Sequence, residues 1–154
     1  MLNLNLPSCD FFLKKEKDKV YIKDLLKNKF LLLTPEEWVR QHLINYMVSE
    51  KSFPKKLIST ESSMKYNKLL KRTDILVFDR NGQAVFLIEC KASHIELDEK
   101  CIFQLSTYNS KIKAPIVGLS NGLIHYYWYM KKNKYEVLPD IPQYEEMLKL
   151  VAAE

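Results

Sequence analysis

Asp74, Glu89 and Lys91 are the residues whose types and spacing could do chemistry together. They lie in TDILVFD (73–79) and AVFLIECKA (84–92), two largely apolar runs with Asn81-Gly82 between them. An Asn-Gly pair in that position is a strong hairpin signal, because both central residues of a type I′ turn need positive φ. If Asn81 and Gly82 form a two-residue loop, Arg80 faces Gln83, and counting back along both strands brings Asp74 opposite Glu89. Alternation then puts Asp74, Leu76 and Phe78 on one face. In the second strand it separates Val85, Leu87, Glu89 and Lys91 from Phe86, Ile88 and Cys90.

Facing residues of an antiparallel pair have Cβ atoms about 4.5–5.5 Å apart, and like charges there repel. A hard divalent cation held by both carboxylates removes the repulsion; Mg²⁺ takes one or two carboxylates and fills its shell with water and substrate phosphate. Lys91 emerges beside such an ion, where it could polarise the attacking water or stabilise a pentacovalent phosphate. The bland alternative is a salt bridge from Lys91 or Arg72 to these acids at a solvated strand end. Against it, Glu89 and Lys91 interrupt a run built for burial, where charge costs free energy, and the turn sets the register independently of any motif. Gln104 and Tyr108, four residues apart, add one polar face on the next helix.

These residues need a scaffold, and the composition supplies one. With 154 residues, 47% hydrophobic and 28% charged, the chain reads as one globular domain, 1–154. Within it we expect a core at about 34–130, an N-terminal hairpin and helix at 10–33, and a C-terminal extension at 131–154. Only 3 Gly are present, and neither GxxxxGK(S/T) nor GxGxxG occurs, which argues against a motor ATPase or a dinucleotide enzyme. No apolar run approaches the roughly 18 residues of a membrane span, and MLNLNLPSCD lacks the regions of a signal peptide; the expectation is a cytoplasmic protein with no membrane partner. Cys9, Cys90 and Cys101 are odd in number and widely spaced, and His42, His94 and His125 are scattered, so any metal would rest on carboxylates.

Periodicity and turn chemistry place the elements. Residues 11–13 and 20–22 flank the charged run KKEKDK as a hairpin, and residues 23–33 read as a short amphipathic helix. In TPEEWVRQHLINYMVSE, Thr34 is a candidate N-cap, Pro35 suits the first helical position and Glu37 completes a capping box, with Trp38, Val39, Leu43, Tyr46 and Met47 forming the core face. A strand at 56–61 precedes the hairpin. Leu97, Cys101, Leu105, Tyr108 and Ile112 make one stripe of a helix that Pro115 ends. PIVGLS, a second Asn-Gly turn at 121–122 and the aromatic LIHYYWYM predict a second hairpin, the aromatic strand lying at the sheet edge. Residues 135–138 and a last helix after Pro142 follow. The order suggests an α/β/α or α+β sandwich with a mixed sheet.

TDILVF, LIECKA and FQLSTYN, with LTPEEWVRQHLI upstream and LSNG downstream, resemble the PD-(D/E)xK nuclease superfamily, and more closely the N-terminal nuclease domain of type I restriction enzyme R subunits, over about residues 10–128. The resemblance implies a restriction-endonuclease-like α/β/α sandwich with a mixed five-stranded sheet, and a Mg²⁺-dependent DNA endonuclease, Mn²⁺ substituting, in restriction or DNA maintenance. By position, Asp74 and Glu89 would hold the metal, Lys91 would assist the water, and Gln104 with Tyr108 would match the Q-x-x-x-Y element. Glu37 and Glu61 are further acids that could join, although capping already accounts for Glu37. The proline that precedes the acid in the family is Thr73 here. With the R-subunit motor missing, the expectation is a stand-alone nuclease-like domain or one that serves a separate motor or specificity protein.

The net charge of +5 and pI of about 9.0 favour a polyanionic partner. Lys65, Lys68, Lys71 and Arg72 lead into Asp74 and are candidate DNA contacts, or else a solvated basic segment. Tyr126 to Tyr129 could stack on bases, or else cover the core as an edge strand or form a dimer contact. Two other readings stand beside the DNA endonuclease: a non-catalytic nucleic-acid-binding or protein-interaction module that keeps the fold, and a nuclease acting on RNA. The oligomeric state is left open.

Overall fold

The computed structural model describes residues 2–60 and 74–153. The chain opens with β1 (Leu13–Glu16) and β2 (Lys19–Lys23), joined through Lys17 and Asp18, whose φ values of 49° and 66° are those of a type I′ turn. The expected first hairpin is therefore present. The helix expected over residues 23–33 is not. Asp24 Oδ1 accepts the Leu26 N–H at 3.1 Å and the Asp24 N–H bonds the Lys29 carbonyl at 2.9 Å, so the chain bends and returns as β3 (Phe30–Leu32), antiparallel to β2. Local side-chain bonding by an Asp has displaced the helix ladder.

Next comes α1 (Pro35–Glu50), with Thr34 Oγ1 accepting the Glu37 N–H at 3.1 Å. Only this arm of the capping box forms, because the Glu37 carboxylate turns inward to Arg40 and Gln41. Val39, Leu43 and Met47 are buried as expected, joined by Ile44, while Trp38 and Tyr46 are half-buried. Polar residues of α1 are buried as well, since the N-terminal residues lie over its outer side: Trp38 Nε1 donates to the Leu2 carbonyl at 2.9 Å and the Leu25 N–H to Gln41 Oε1 at 3.0 Å.

The main sheet contains β4 (Ile58–Ser59), β5 (Asp74–Phe78), β6 (Ala84–Cys90), β7 (Ile116–Ser120), β8 (His125–Lys131) and β9 (Lys134–Leu138), and these hydrogen-bond in that order. Among the described residues six strands stand where five were expected, and the strand predicted at 56–61 covers Ile58–Ser59, with Glu61 outside the described residues. Helices α2 (Glu99–Ile112) and α3 (Tyr144–Ala152) complete the element order. Only β6 and β7 run parallel, bridged by α2; the other pairs are antiparallel, so the sheet is mixed. Because β9 lies beyond β8, the aromatic strand is interior, not an edge as expected.

Two apolar layers sandwich this sheet. Val39, Leu43 and Met47 of α1 and Tyr144 and Met147 of α3 pack on Ile75, Val77, Phe86 and Ile88. On the opposite face Cys101, Leu105 and Ile112 of α2 meet Leu76, Leu87, Val117 and Leu119. Each fully buried large apolar side chain contributes roughly 1.5–3 kcal/mol. The α/β/α order of the layers follows from alternating strand patterns that leave both faces apolar.

α2 stops before Pro115: Lys113 takes the left-handed conformation (φ 60°) and the Asn109 side chain exchanges two bonds with the Ala114 backbone, at 2.8 and 2.9 Å. Asn121-Gly122 opens a four-residue loop between the paired Ser120 and His125, rather than a two-residue turn. The β8–β9 connection at Lys132 and Asn133 (φ 47° and 64°) has the type I′ geometry instead.

Candidate active site

Asp74 begins β5 and Glu89 is the penultimate residue of β6, and the two are direct cross-strand partners. The route to this register differs from the simple turn expected. Of Asn81 and Gly82 only the glycine has positive φ (81°). Gly82 N–H bonds the Asp79 carbonyl at 3.2 Å and Asp79 N–H the Gln83 carbonyl at 2.8 Å, so Arg80, Asn81 and Gly82 form a three-residue loop and Phe78 pairs with Ala84. A bulge between Val77 and Phe78 then restores the offset, and Val77 pairs with Phe86. The extra residue is Val85, which packs with Phe86, Ile88 and Cys90 in the α1-side core; its expected place on the face of Leu87 and Glu89 is corrected by the bulge.

Both carboxylates are 1% exposed and lie on the α2 side of the sheet, the face of Leu76 and Leu87. Lys91 follows β6 directly, and its N–H continues the parallel ladder to the Ser120 carbonyl at 2.8 Å, which keeps the backbone extended and returns the side chain to the face of Glu89. Lys91 Nζ stands 3.2 Å from Glu89 Oε1 and donates to Gln104 Oε1 at 3.3 Å. The Asp98 N-cap, accepting the Cys101 N–H at 3.1 Å, starts α2 so that Gln104 meets Lys91. Tyr108, one turn on, is half-buried against the α2-side core.

The donor set suits a hard cation. Among the described residues neither Glu89 oxygen accepts a hydrogen bond of good geometry, and both are shut off from solvent. The Lys91 ammonium at 3.2 Å balances part of the charge, as the salt-bridge reading expected, and leaves the facing Asp74 carboxylate on the same face, where a second cation would offset the repulsion. No group of three or more His, Cys, Asp or Glu side chains is set to hold a metal among the described residues. The site therefore offers two carboxylates, which is the protein share that Mg²⁺ uses. On the other side of β6, burial pushes the Cys90 thiol well up, the Asp74 charge adds to this and Arg40 opposes it, so Cys90 is a protonated packing residue.

Glu37 lies in a different network. Its Oε2 accepts from Arg40 Nε at 2.7 Å, Arg40 Nη2 at 2.5 Å and Gln41 Nε2 at 3.0 Å, and Gln41 Nε2 also reaches Asp24 Oδ1 at 3.2 Å. Glu37, Arg40, Gln41 and Asp24 are all buried. Sequence reasoning missed Arg40, Gln41 and Asp24; the available signal was Glu37 followed at three and four residues by an Arg and a Gln. Glu61, Lys65, Lys68, Lys71 and Arg72 lie outside the described residues. His94 is exposed, and Cys9, Cys90 and Cys101 are free. Among the described residues no helix is long and apolar enough to cross a membrane.

No curated protein and no solved structure matches this chain. The family model for the type I restriction enzyme R protein N terminus matches residues 35–142, from the start of α1 through the whole of β9. That span holds Asp74, Glu89, Lys91 and Gln104 and covers well over half of the 154 residues, and so the chain belongs to the family of type I restriction enzyme R protein N termini.

Proposed function

We propose that this chain is a Mg²⁺-dependent endonuclease of the PD-(D/E)xK type that hydrolyses phosphodiester bonds in DNA, working with other subunits of a restriction system. The observation that carries the reading is the buried Asp74–Glu89 pair with Lys91 lying 3.2 Å from Glu89. Membership of a restriction enzyme family supports a restriction-related role.

Asp74 and Glu89 would hold the ion, with Mn²⁺ as a substitute. When bound, it would lower the pKa of a coordinated water and offset charge on the phosphate. Lys91, with its side chain 20% exposed, can present its ammonium to a phosphate oxygen where negative charge develops. Gln104 holds that ammonium in place from α2. The low exposure of both acids keeps bulk water from screening these charges.

A cleavage assay on linear and circular DNA with Mg²⁺ or Mn²⁺, paired with calorimetric metal titration, tests this. Asp74→Asn is expected to lose both metal binding and cleavage. Lys91→Ala is expected to keep the metal and lose at least about 10²-fold in cleavage rate. Equal cleavage by wild type and Lys91→Ala would sink the catalytic assignment, and wild-type protein that binds no divalent ion would point to a non-catalytic module. RNA offered as competitor decides between the two nucleic acids.

A further inference from the structure

α2 covers the β5–β7 part of its sheet face and leaves the β8–β9 part open. The residues of β8 and β9 on that face are aromatic or apolar: Tyr126 is 40% exposed, Trp128 half-buried, Tyr135 49% and Val137 74% exposed. Trp128 is paired with Val137 and Met130 with Tyr135, so these side chains share the face, while Tyr127 and Tyr129 point into the core on the other side. The Tyr126 and Trp128 rings are stacked, with centroids 5.8 Å apart and planes within 19°. Two adjoining hollows of about 220 and 590 Å³ lie between this surface and α2, and both are bordered by Ser106, Asn109 and Tyr135.

We propose that this groove binds single-stranded nucleic acid, its bases stacking on Trp128, Tyr126 and Tyr135; the inference rests on the nucleic-acid reading above and extends it to a second surface. Exposed aromatic faces beside basic residues are the composition that holds unpaired bases, whereas a duplex hides its base faces. Charge agrees: among the described residues no carboxylate lines either hollow, Lys113 lines the larger one, and Lys132 precedes its Asn133 on the exposed β8–β9 turn. Ser106 and Asn109 supply hydrogen-bonding groups for base edges.

The groove is also placed for the chemistry. Asp74, Glu89, Leu119 and Tyr126 form one continuous cross-strand row, which sets Tyr126 two strands, or about 10 Å, from Glu89. Phe103, 73% exposed on the outside of α2, stands in sequence between Ile102 of the groove and Gln104 of the site.

The chain has two tryptophans, so Trp38→Phe makes Trp128 the sole indole reporter. Titrated in EDTA with oligo(dT) of roughly 12 nucleotides, within the span that such sites cover, this variant is expected to show quenched Trp128 emission and affinity that falls with salt. Trp128→Ala should weaken binding by about tenfold, and Tyr126→Ser and Lys113→Gln, both at exposed positions, should each weaken it with unchanged circular dichroism. Asp74→Asn should bind oligo(dT) as the parent does, which separates failure of the groove from failure of the metal site. Binding that leaves Trp128 emission unchanged, equal competition by a duplex, or no binding would overturn the proposal. So would concentration-dependent dimerisation that itself quenches Trp128, because the groove would then be occupied by a second copy.

Discussion

Three carboxylates show how surroundings assign work to one chemical group. Asp98 is solvated and caps α2, and hydrogen bonding from Cys101 holds its pKa below the ordinary range. Glu37 is buried and neutralised by Arg40, so it is structural in effect: Glu37→Gln leaves a guanidinium at 1% exposure without its counter-charge and is expected to cost about 3–5 kcal/mol, read from urea unfolding midpoints. Among the described residues Glu89 has Lys91 against it, at 3.2 Å. Gln104→Ala, at an exposed position, should leave stability within about 0.5 kcal/mol while releasing Lys91. The proposed cleavage is expected to fall by about tenfold, the rate change of a 1.4 kcal/mol loss from the transition state. A loss of stability without a loss of rate would reassign Gln104 to packing.

At the scale of elements, the β5–β6 hairpin decides whether the acids meet. A three-residue loop by itself would carry the Phe78–Ala84 offset down the ladder and place Ile88 opposite Asp74, with Glu89 displaced from that position. The bulge at Val85 cancels the offset before the ladder reaches Asp74. Gly82 matters because its φ of 81° disfavours any Cβ, although the space around it is open. Gly82→Ala is therefore expected to cost about 1 kcal/mol from backbone strain alone, with Gly82→Asn milder. Thermal melts would measure this, and an unchanged metal affinity would show that the bulge, not the turn, secures the register.

At the scale of the whole molecule, the N-terminal residues and small sheet act as a cover for α1. His42 is buried beneath them, its ring 4.4 Å from Trp38 and 4.9 Å from Phe11 between centroids, with Nδ1–H donating to the Trp38 carbonyl at 2.7 Å. Burial lowers its pKa, outweighing that hydrogen bond. The unfolded chain then binds a proton more readily than the folded one, so stability falls as the pH drops through the ordinary histidine value of about 6.5 and levels off below the lowered value. Urea midpoints across pH 5–8 (roughly the histidine range) should show this decline, and His42→Phe should flatten it. A slope that survives the substitution would place the titrating group elsewhere.

What the sequence by itself determined is what short-range chemistry controls. The two-residue alternation of DILVF and FLIEC, the stripe of Cys101, Leu105 and Ile112, and the Thr34 cap all formed as read, because each depends on neighbours a few residues away. The Asp74–Glu89 pairing was legible too, although by a path that differed from the turn that suggested it. The tertiary structure alone decided the rest. Residues 23–33 read as a helix by their local pattern, and the waiting edge of β2 with the Asp24 bonds made a bend and the short strand Phe30–Leu32 instead. The polar side chains of α1 could have faced water, and the cover folded over them made a buried network. Nothing in LIHYYWYM says which aromatics α2 reaches; that depends on where a helix of fourteen residues lies across a six-stranded sheet. Such choices lie between local states of similar free energy, and only contacts distant in sequence separate them.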